Sequence, residues 1–395
     1  MADSIPIGLA SGARAGAAHE RAAARAVPLY IWSGLVAVSA IAFGLYWDIS
    51  WHMTIGRDTF WTPAHLLVQF GGILAATTCS YLVFAATFGH DVALRDASVR
   101  VWGFHGPVGA FLCAWGGVTM VTSAPFDNWW HNSFGLDVQI LSPPHAVLAI
   151  GILGVEIGFL VLVVGLKNRA EGAMRAKLTR LFLYMGSLGL FLHLMLLAEY
   201  IDPNQMHRPM FYRALSLGAP MLLVAYAWAS GHRWGATIMA ATAMGLRLLF
   251  LWTFPLFPAT PKLGPVYTNV THMMPLSFPV LIVLPAIAID LVLQRLGGRN
   301  KWLLAAAAGT AYVATLLAVH WPWAEFMVSP LARNAVFGMI YFPYQYATAM
   351  HHLAYQLTTV SRGAFWNGVG IAWASAMITS RVGLAFGGWL ARIRR

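Results

Sequence analysis

The chain has 395 residues, of which 59% are hydrophobic and only 10% are charged. A soluble domain needs a charged surface, and this composition supplies too few charged residues to build one. The formal net charge of +11 does not indicate nucleic-acid binding, because the basic residues are spread over short stretches between long apolar runs. The composition therefore predicts an integral membrane protein.

Residues 1–26 are rich in Ala, Arg and Gly and lack the apolar core of a signal peptide. We expect a disordered cytoplasmic tail there. The apolar runs that follow are roughly 20 residues long, the length of a helix that crosses a bilayer. Because backbone groups in lipid must hydrogen-bond internally, we predict an all-α, polytopic transmembrane bundle of about ten spans. The predicted spans are residues 29–47, 64–88, 101–123, 144–166, 179–198, 212–231, 234–256, 275–294, 302–320 and 364–388.

The connections between the spans alternate in charge. Arg95 and Arg100 follow the second span, and Lys167 and Arg169 follow the fourth. The positive-inside rule then places both termini in the cytoplasm, and the predicted location is a bacterial inner membrane. The other loops hold more Trp, Asp and His residues than the basic loops do and would face the periplasm. Residues 333–349 are apolar but short, and we predict a re-entrant or interfacial segment there.

The most informative feature is an internal repeat. Residues 47–65 (WDISWHMTIGRDTFWTPAH) and 126–145 (FDNWWHNSFGLDVQILSPPH) each run from the outer end of an odd span, through a short loop, into the next span. Allowing one inserted residue, the matched pairs are Asp48/Asp127, Trp51/Trp130, His52/His131, Gly56/Gly135, Asp58/Asp137, Pro63/Pro143 and His65/His145. Such dense identity at polar positions predicts two hairpins with the same chemistry.

The spacing within each copy predicts a metal site. Asp48 and His52 are four residues apart, so a helix presents them on one face. The chain turns at Gly56, Pro63 opens the returning helix, and His65 comes back at similar depth. One carboxylate and two imidazoles suit Cu, Zn or Fe and leave coordination positions open. The second copy offers the same set, namely Asp127, His131 and His145.

At these residues the sequence resembles the C subunit of the copper membrane monooxygenases, which oxidise methane or ammonia. In that subunit an Asp, a His four residues on and a His thirteen further on bind copper, and the first copy has this spacing. The resemblance implies one or two copper ions. It also implies that Asp48, His52 and His65 hold the catalytic one.

The second copy departs from the family at one position. The family's second site uses an Asn, a His four on and a His fourteen further on, and Asp127 replaces that Asn. An added anionic ligand favours Cu(II) or Zn(II) over Cu(I), so zinc is an alternative metal at this site. We therefore expect the second site to retain its metal better than the first.

A weaker resemblance covers the rest of the chain. Residues 267–290 and 320–348 are similar to stretches of the A subunit of the same enzymes, in the same order. The resemblance then divides the chain into a C-subunit-like region, 27–170, and a second, A-subunit-like membrane region, 171–395, that is fused to it. No segment resembles the cupredoxin domains of the third subunit. The resemblance implies a separate periplasmic cupredoxin-like subunit, an electron donor and an oligomeric assembly in membrane lipid.

Two other functions remain open from the residues alone. One is a non-catalytic membrane protein that stores, delivers or senses copper, and the other is a structural subunit with a vestigial site. Transport is disfavoured because spans two to four carry few polar groups besides His105. Cys79 and Cys113 are expected to be buried apolar residues without a metal-type spacing.

Other residues near the outer face are candidates for lesser roles. Asp58 and Asp137 are candidates to orient ligands or relay protons. Candidates for extra ligands, with interfacial packing as the alternative, are Glu199, Tyr200, Asp202, His207, His272, Met273, Met274, Glu325, His351 and His352. Candidates for an apolar substrate pocket, with bilayer anchoring as the alternative, are Trp47, Trp51, Phe60, Trp61, Trp129 and Trp130.

Overall fold

A computed structural model describes residues 26–56, 61–135, 142–202, 205–262, 270–341 and 360–394. Within these ranges nine helices are long and apolar enough to cross a membrane. The predicted all-α, membrane-spanning bundle is therefore confirmed.

The long helices carry the bundle. They are α1 (Leu29–Thr54), α2 (Pro63–Phe88), α4 (Val108–Phe134), α5 (Pro143–Arg169), α6 (Gly172–Leu196), α8 (Pro209–Ser230), α9 (Gly235–Thr253), α11 (Lys301–Val328) and α12 (Arg362–Leu390). The shorter helices are α3 (Val92–Asp96), α7 (Ala198–Ile201) and α10 (Val283–Leu296). Single 3₁₀ turns lie at Phe254–Leu256, Pro330–Ala332 and Met339–Tyr341.

The third predicted span begins later than expected. Residues 99–106 form a small antiparallel hairpin of β1 (Val99–Val101) and β2 (Phe104–Gly106), and α4 starts only at Val108. Gly103, at φ 90°, turns this hairpin, and Pro107 precedes the helix. His105 was predicted within a span. It instead lies in β2, where its backbone N–H donates to Thr87 Oγ1 at 2.8 Å.

The eighth predicted span, 275–294, is not one continuous helix. Only α10, with 14 residues, is helical, and most of residues 272–282 have no regular secondary structure. Pro275 and Pro279 explain the break, because proline lacks the N–H that a helix needs and clashes with the preceding turn. Irregular backbone is tolerated at membrane depth only where protein covers it. Met274, Leu276 and Val280 are accordingly buried.

Side chains of neighbouring helices satisfy the backbone of this segment. Leu276 N–H donates to Tyr46 Oη of α1 at 3.0 Å, and Arg247 Nη2 of α9 donates to the Ser277 carbonyl at 3.0 Å. Leu281 N–H donates to His320 Nε2 of α11 at 3.0 Å. These side chains therefore replace the hydrogen bonds that an unbroken helix would supply.

The broken span nevertheless runs the full length of α9. Near the outer end of α9, Pro258 pairs with His272 in an isolated antiparallel bridge. At the opposite end, the Asp290 carboxylate accepts the Ala236 N–H at 3.1 Å and the Thr237 N–H at 2.8 Å, at the start of α9. The described residues thus include nine helices that could cross a membrane and this broken span, and the tenth crossing stays a prediction.

Both described ends of the chain lie away from the repeat. Asn168, at the end of α5 opposite His145, donates to the Leu390 carbonyl of α12 at 2.9 Å. Lys177, near the start of α6, lies over the Trp32 ring of α1 at 5.4 Å. Both described ends of the chain therefore lie at the same end of the bundle, as the predicted even number of crossings requires.

Small residues let the helices that carry the repeat pack closely. A Cβ at Gly116 of α4 would lie 2.6 Å from the Gly151 carbonyl oxygen of α5, and one at Gly117 would lie 2.5 Å from the Gly72 carbonyl oxygen of α2. Close backbone approach of this kind drives helix association in lipid, where the hydrophobic effect does not. Cys79 and Cys113 are buried in this part of the bundle as free thiols.

Residues 333–341 of the predicted re-entrant segment lie against the outer part of α9. Trp252 Nε1 donates to the Val336 carbonyl at 2.9 Å, and Met339 is buried. Residues 342–349 lie outside the described ranges. The re-entrant or interfacial segment therefore stays a prediction.

Candidate metal centre

The first copy of the repeat brings its three predicted ligands together. Asp48 and His52 lie in the last two turns of α1, and His65 lies in the first turn of α2. Asp48 Oδ1 is 3.4 Å from His52 Nε2 and 3.0 Å from His65 Nε2. One ligand atom from each residue lies within 4.8 Å of the others.

The second copy forms the same arrangement on the next pair of long helices. Asp127 and His131 lie in α4, and His145 lies in the first turn of α5. Asp127 Oδ1 is 3.3 Å from His131 Nε2 and 3.5 Å from His145 Nε2. Two groups able to hold a metal ion are therefore present, as the duplicated spacing predicted.

Glycines at matching positions end the two ligand-bearing helices. Gly56 has φ 98° and Gly135 has φ 84°. This is the left-handed region that side chains with a Cβ rarely adopt. Gly135 N–H donates to the His131 carbonyl at 3.0 Å, so the helix closes directly after its ligand. The predicted turns at both glycines are confirmed.

Two capping residues that the sequence analysis did not single out hold the returning helices. Thr62 Oγ1 accepts the His65 N–H at 3.1 Å, and Ser142 Oγ accepts the His145 N–H at 3.5 Å. A capping hydroxyl followed by proline is a strong helix-start signal. The shared pattern of Ser or Thr, Pro, any residue and His would have revealed it. Because each cap is bonded to the backbone of the histidine itself, it fixes the position of that histidine at the start of the returning helix.

The two sites are neighbours at one end of the bundle. Because α2 lies antiparallel to both α1 and α4, the ends of α1 and α4 that carry ligands point the same way. The contact of Gly72 with Gly117 holds α2 against α4. The imidazole of His145 in the second site also interacts electrostatically with Asp48 in the first.

The ligand atoms indicate what each site could hold. Asp48 Oδ1 and Asp127 Oδ1 are sealed from solvent, and each faces two imidazole nitrogens. Converging lone pairs repel unless a proton or a cation lies between them. For a tetrahedral ion with bonds of about 2.0–2.2 Å, neighbouring ligand atoms are about 3.3–3.6 Å apart. The O···N distances of 3.0–3.5 Å fit such an ion with small adjustments.

The two groups do not include four other candidate ligands that the structure describes, namely Asp202, His207, His272 and Glu325. Asp202 Oδ1 accepts the Ser277 hydroxyl at 2.6 Å, and His207 Nε2 lies 3.0 Å from the Trp321 carbonyl. His272 Nδ1 lies 2.9 Å from Thr271 Oγ1. None of these residues joins a described group of three His, Cys, Asp or Glu ligands, and the same holds for Glu325. Predicted residues outside the described ranges are Asp58, Phe60, Asp137, His351 and His352.

The tryptophans near the sites divide into two groups. Trp61 and Trp129 are 73% and 55% exposed, which suits anchoring at the membrane surface. Trp47 and Trp51 are half-buried and meet edge to face at 6.4 Å on α1, beside the first site. Trp130 packs on Phe134 at 4.5 Å. The pocket interpretation therefore remains a hypothesis for Trp47, Trp51 and Trp130.

The structure is therefore that of a helical protein with helices able to span a membrane and with two Asp/His/His groups that could hold metal ions. The chain matches no protein-family model, no curated protein and no solved structure. The assignment of a function therefore depends on the site itself and on the resemblance carried by its motif.

Proposed function

We propose that this protein is the metal-binding core of a copper-dependent membrane monooxygenase that oxidises a small apolar substrate with O₂. One observation carries the proposal. The two Asp/His/His groups lie side by side within membrane-spanning helices, each with its carboxylate oxygen sealed from solvent. Ionisable groups are costly at membrane depth, so two such groups with the same spacing support a functional metal centre.

The chain's own residues would position and shield the metal. Asp48, His52 and His65 would hold the catalytic copper, and Asp127, His131 and His145 would hold a second copper or a zinc ion. Copper bound by such ligands supplies the chemistry of O₂ reduction and oxygen-atom transfer. Three protein ligands leave at least one coordination position open for a small molecule.

The surroundings of the first site suit an apolar substrate. A small apolar molecule partitions into the bilayer, where it reaches high local concentration. The side chains of His52 and His65 are 28% and 24% exposed, so part of each imidazole is accessible. The half-buried Trp47 and Trp51 would offer that molecule an apolar surface. A periplasmic cupredoxin-like subunit and an electron donor complete the proposed enzyme.

The proposal is tested by metal content and turnover in native lipid. We expect the purified protein to hold one or two copper ions and to couple O₂ consumption to hydroxylation of a short alkane when reductant is supplied. His52→Ala with His65→Ala should remove about one metal ion and abolish hydroxylation, while the protein still elutes as a folded species. Unchanged metal content in the double variant would refute the first site.

The same experiment separates catalysis from copper handling. Stoichiometric copper without hydroxylation, in the presence of reductant and of the partner subunit, would favour storage, delivery or sensing. Hydroxylation that is lost with His52 and His65 would exclude that alternative. Membranes are preferred to detergent for both measurements, because the ligands lie at the ends of helices that lipid surrounds.

A further inference from the structure

We propose that residues 273–276 of the broken span position the first metal site, and that this site therefore binds its metal more tightly than the second. The inference rests on metal binding at both sites, as proposed above. It concerns the residues that hold the ligands in position rather than the ligands themselves, because the two copies carry the same Asp/His/His set.

Three side chains of α1 form a clamp on this segment. Tyr46, Ser50 and Thr54 are spaced four residues apart, so they lie along one face of the helix. They alternate with the ligands Asp48 and His52, and all three are at most 3% exposed. Any displacement of this face moves both ligands, because they share the same two turns.

Each clamp residue is hydrogen-bonded to the backbone of this segment. Tyr46 Oη accepts the Leu276 N–H at 3.0 Å, and Thr54 Oγ1 accepts the Met274 N–H at 2.8 Å. Ser50 donates to the Met274 carbonyl. These groups are buried, so breaking one bond leaves a donor or acceptor unsatisfied. These hydrogen bonds therefore fix the C-terminal end of α1 against the broken span and prevent the helix from rotating about its axis.

The second copy lacks this clamp although it keeps the ligands. The positions in α4 that correspond to Tyr46, Ser50 and Thr54 are Pro125, Trp129 and Ser133, which have the same offsets from Asp127. Proline and tryptophan offer no hydroxyl group. Trp129 is 55% exposed and Ser133 is also exposed, so no segment among the described residues covers this face of α4 as the broken span covers α1. In the same part of the chain, α4 is held by its close approach to α2 and α5.

The two sites differ slightly in geometry. The two Asp–His distances are 3.4 and 3.0 Å in the first site and 3.3 and 3.5 Å in the second. The histidine ring centroids are 5.8 Å apart in the first site and 6.5 Å apart in the second. Ligands that are held in fixed positions lose less freedom on binding, so the clamp on α1 predicts tighter binding at the first site. The predicted order of metal affinities, with the first site above the second, is the reverse of the one expected from the Asp127 carboxylate alone.

The test isolates each site in the full chain. One background carries His131→Ala and His145→Ala and keeps the first site, and the other carries His52→Ala and His65→Ala and keeps the second. Affinity for Zn(II) and Cu(II) is measured by chelator competition in phosphatidylethanolamine/phosphatidylglycerol nanodiscs. We expect the first site to bind at least about tenfold more tightly, the size of effect that supporting groups around a metal ligand exert.

Clamp variants then identify the cause. In the first-site background, Ser50→Ala with Thr54→Val should weaken binding about tenfold and change the Cu(II) hyperfine splitting. Thr54→Ser keeps the hydroxyl and should retain the parent affinity and spectrum. Ser133→Ala, the matched change in the second-site background, should alter neither. Tyr46→Phe removes a single hydroxyl group and provides a milder variant if the double change does not fold.

The outcomes separate this inference from the proposed function. If neither background binds metal, the proposed function fails and the inference fails with it. If both bind with equal affinity, or if the folded clamp variants bind like their parent, the metal centre stands and the positioning role is overturned.

Discussion

The aspartate of each group is the residue whose role differs between a metal site and a simple hydrogen-bonded cluster. Asp127 Oδ1 faces His131 and His145 at 3.3 and 3.5 Å and is sealed from solvent. A protonated imidazole would satisfy this oxygen as an ion pair, whereas a metal would require direct coordination by it. The two cases respond differently to a neutral isostere at position 127.

We predict that Asp127→Asn weakens metal binding at the second site and shifts its preference away from Cu(II) and Zn(II). An amide oxygen keeps the shape of the carboxylate but removes its charge, which hard cations need most. In the background that keeps only this site, the dissociation constant should rise at least about tenfold, a loss seen even for groups beyond the ligands. Chelator competition measures the constant, and Cu(II) paramagnetic resonance reports the ligand change. Identical values for parent and variant would show that Asp127 is not a ligand.

The turn glycines provide a test that does not involve metal. Gly135 has φ 84° and open space around its Cβ position. We predict that Gly135→Ala destabilises the protein by about 1 kcal/mol through backbone strain alone. Thermal unfolding in nanodiscs measures the change. Gly363→Ala in α12, where a Cβ also meets nothing and the backbone is helical, is the control and should be neutral or stabilising.

At the scale of helices, the repeat depends on glycines that let α4 approach its neighbours. A Cβ at Gly116 would lie 2.5 Å from the Val155 backbone nitrogen of α5. The close neighbours there are backbone atoms, which cannot rotate away as a side chain can. We predict that Gly116→Ala costs about 1–3 kcal/mol by overpacking. It should also weaken metal binding at the second site, because α4 and α5 share its ligands.

The matched change for this prediction is Gly370→Ala in α12, where an added Cβ meets nothing within 4 Å. That variant should keep the parent stability or gain slightly, since alanine is the better helix former. Thermal unfolding and chelator competition on both variants measure the difference. Equal behaviour of the two variants would contradict the packing argument.

At the scale of the whole molecule, a membrane crossing by α4 would place α3 and the C-terminal end of α4 on opposite sides. Asp96 in α3 and Phe134 at the end of α4 are both exposed, the latter at 65%. We predict that Asp96→Cys and Phe134→Cys label with a membrane-impermeant maleimide from opposite sides in sealed vesicles. Cys79 and Cys113 are fully buried and provide the unlabelled background. Labelling of both positions from one side would contradict the topology and the shared face of the two sites.

Much of this architecture follows from local sequence. Long apolar runs determine membrane helices, because lipid leaves the backbone no other hydrogen-bonding partner. The spacing of Asp48 and His52 determines that they share a helix face. The repeat, with its turn glycines and helix-opening prolines, determines that His65 and His145 return to them. These features depend on neighbouring residues alone, so the sequence was sufficient to predict both ligand sets.

Tertiary structure decided what depends on distant residues. Residues 272–282 are as apolar as a membrane helix, yet they stay irregular because Pro275 and Pro279 remove helical bonds that Tyr46, Arg247 and His320 replace. No local pattern pairs position 46 with position 276. The same packing distinguishes the two metal sites: their ligands match in sequence, but only the first lies on a helix that is clamped to the broken span. Sequence determined the ligands, and long-range packing determined how firmly each set is held.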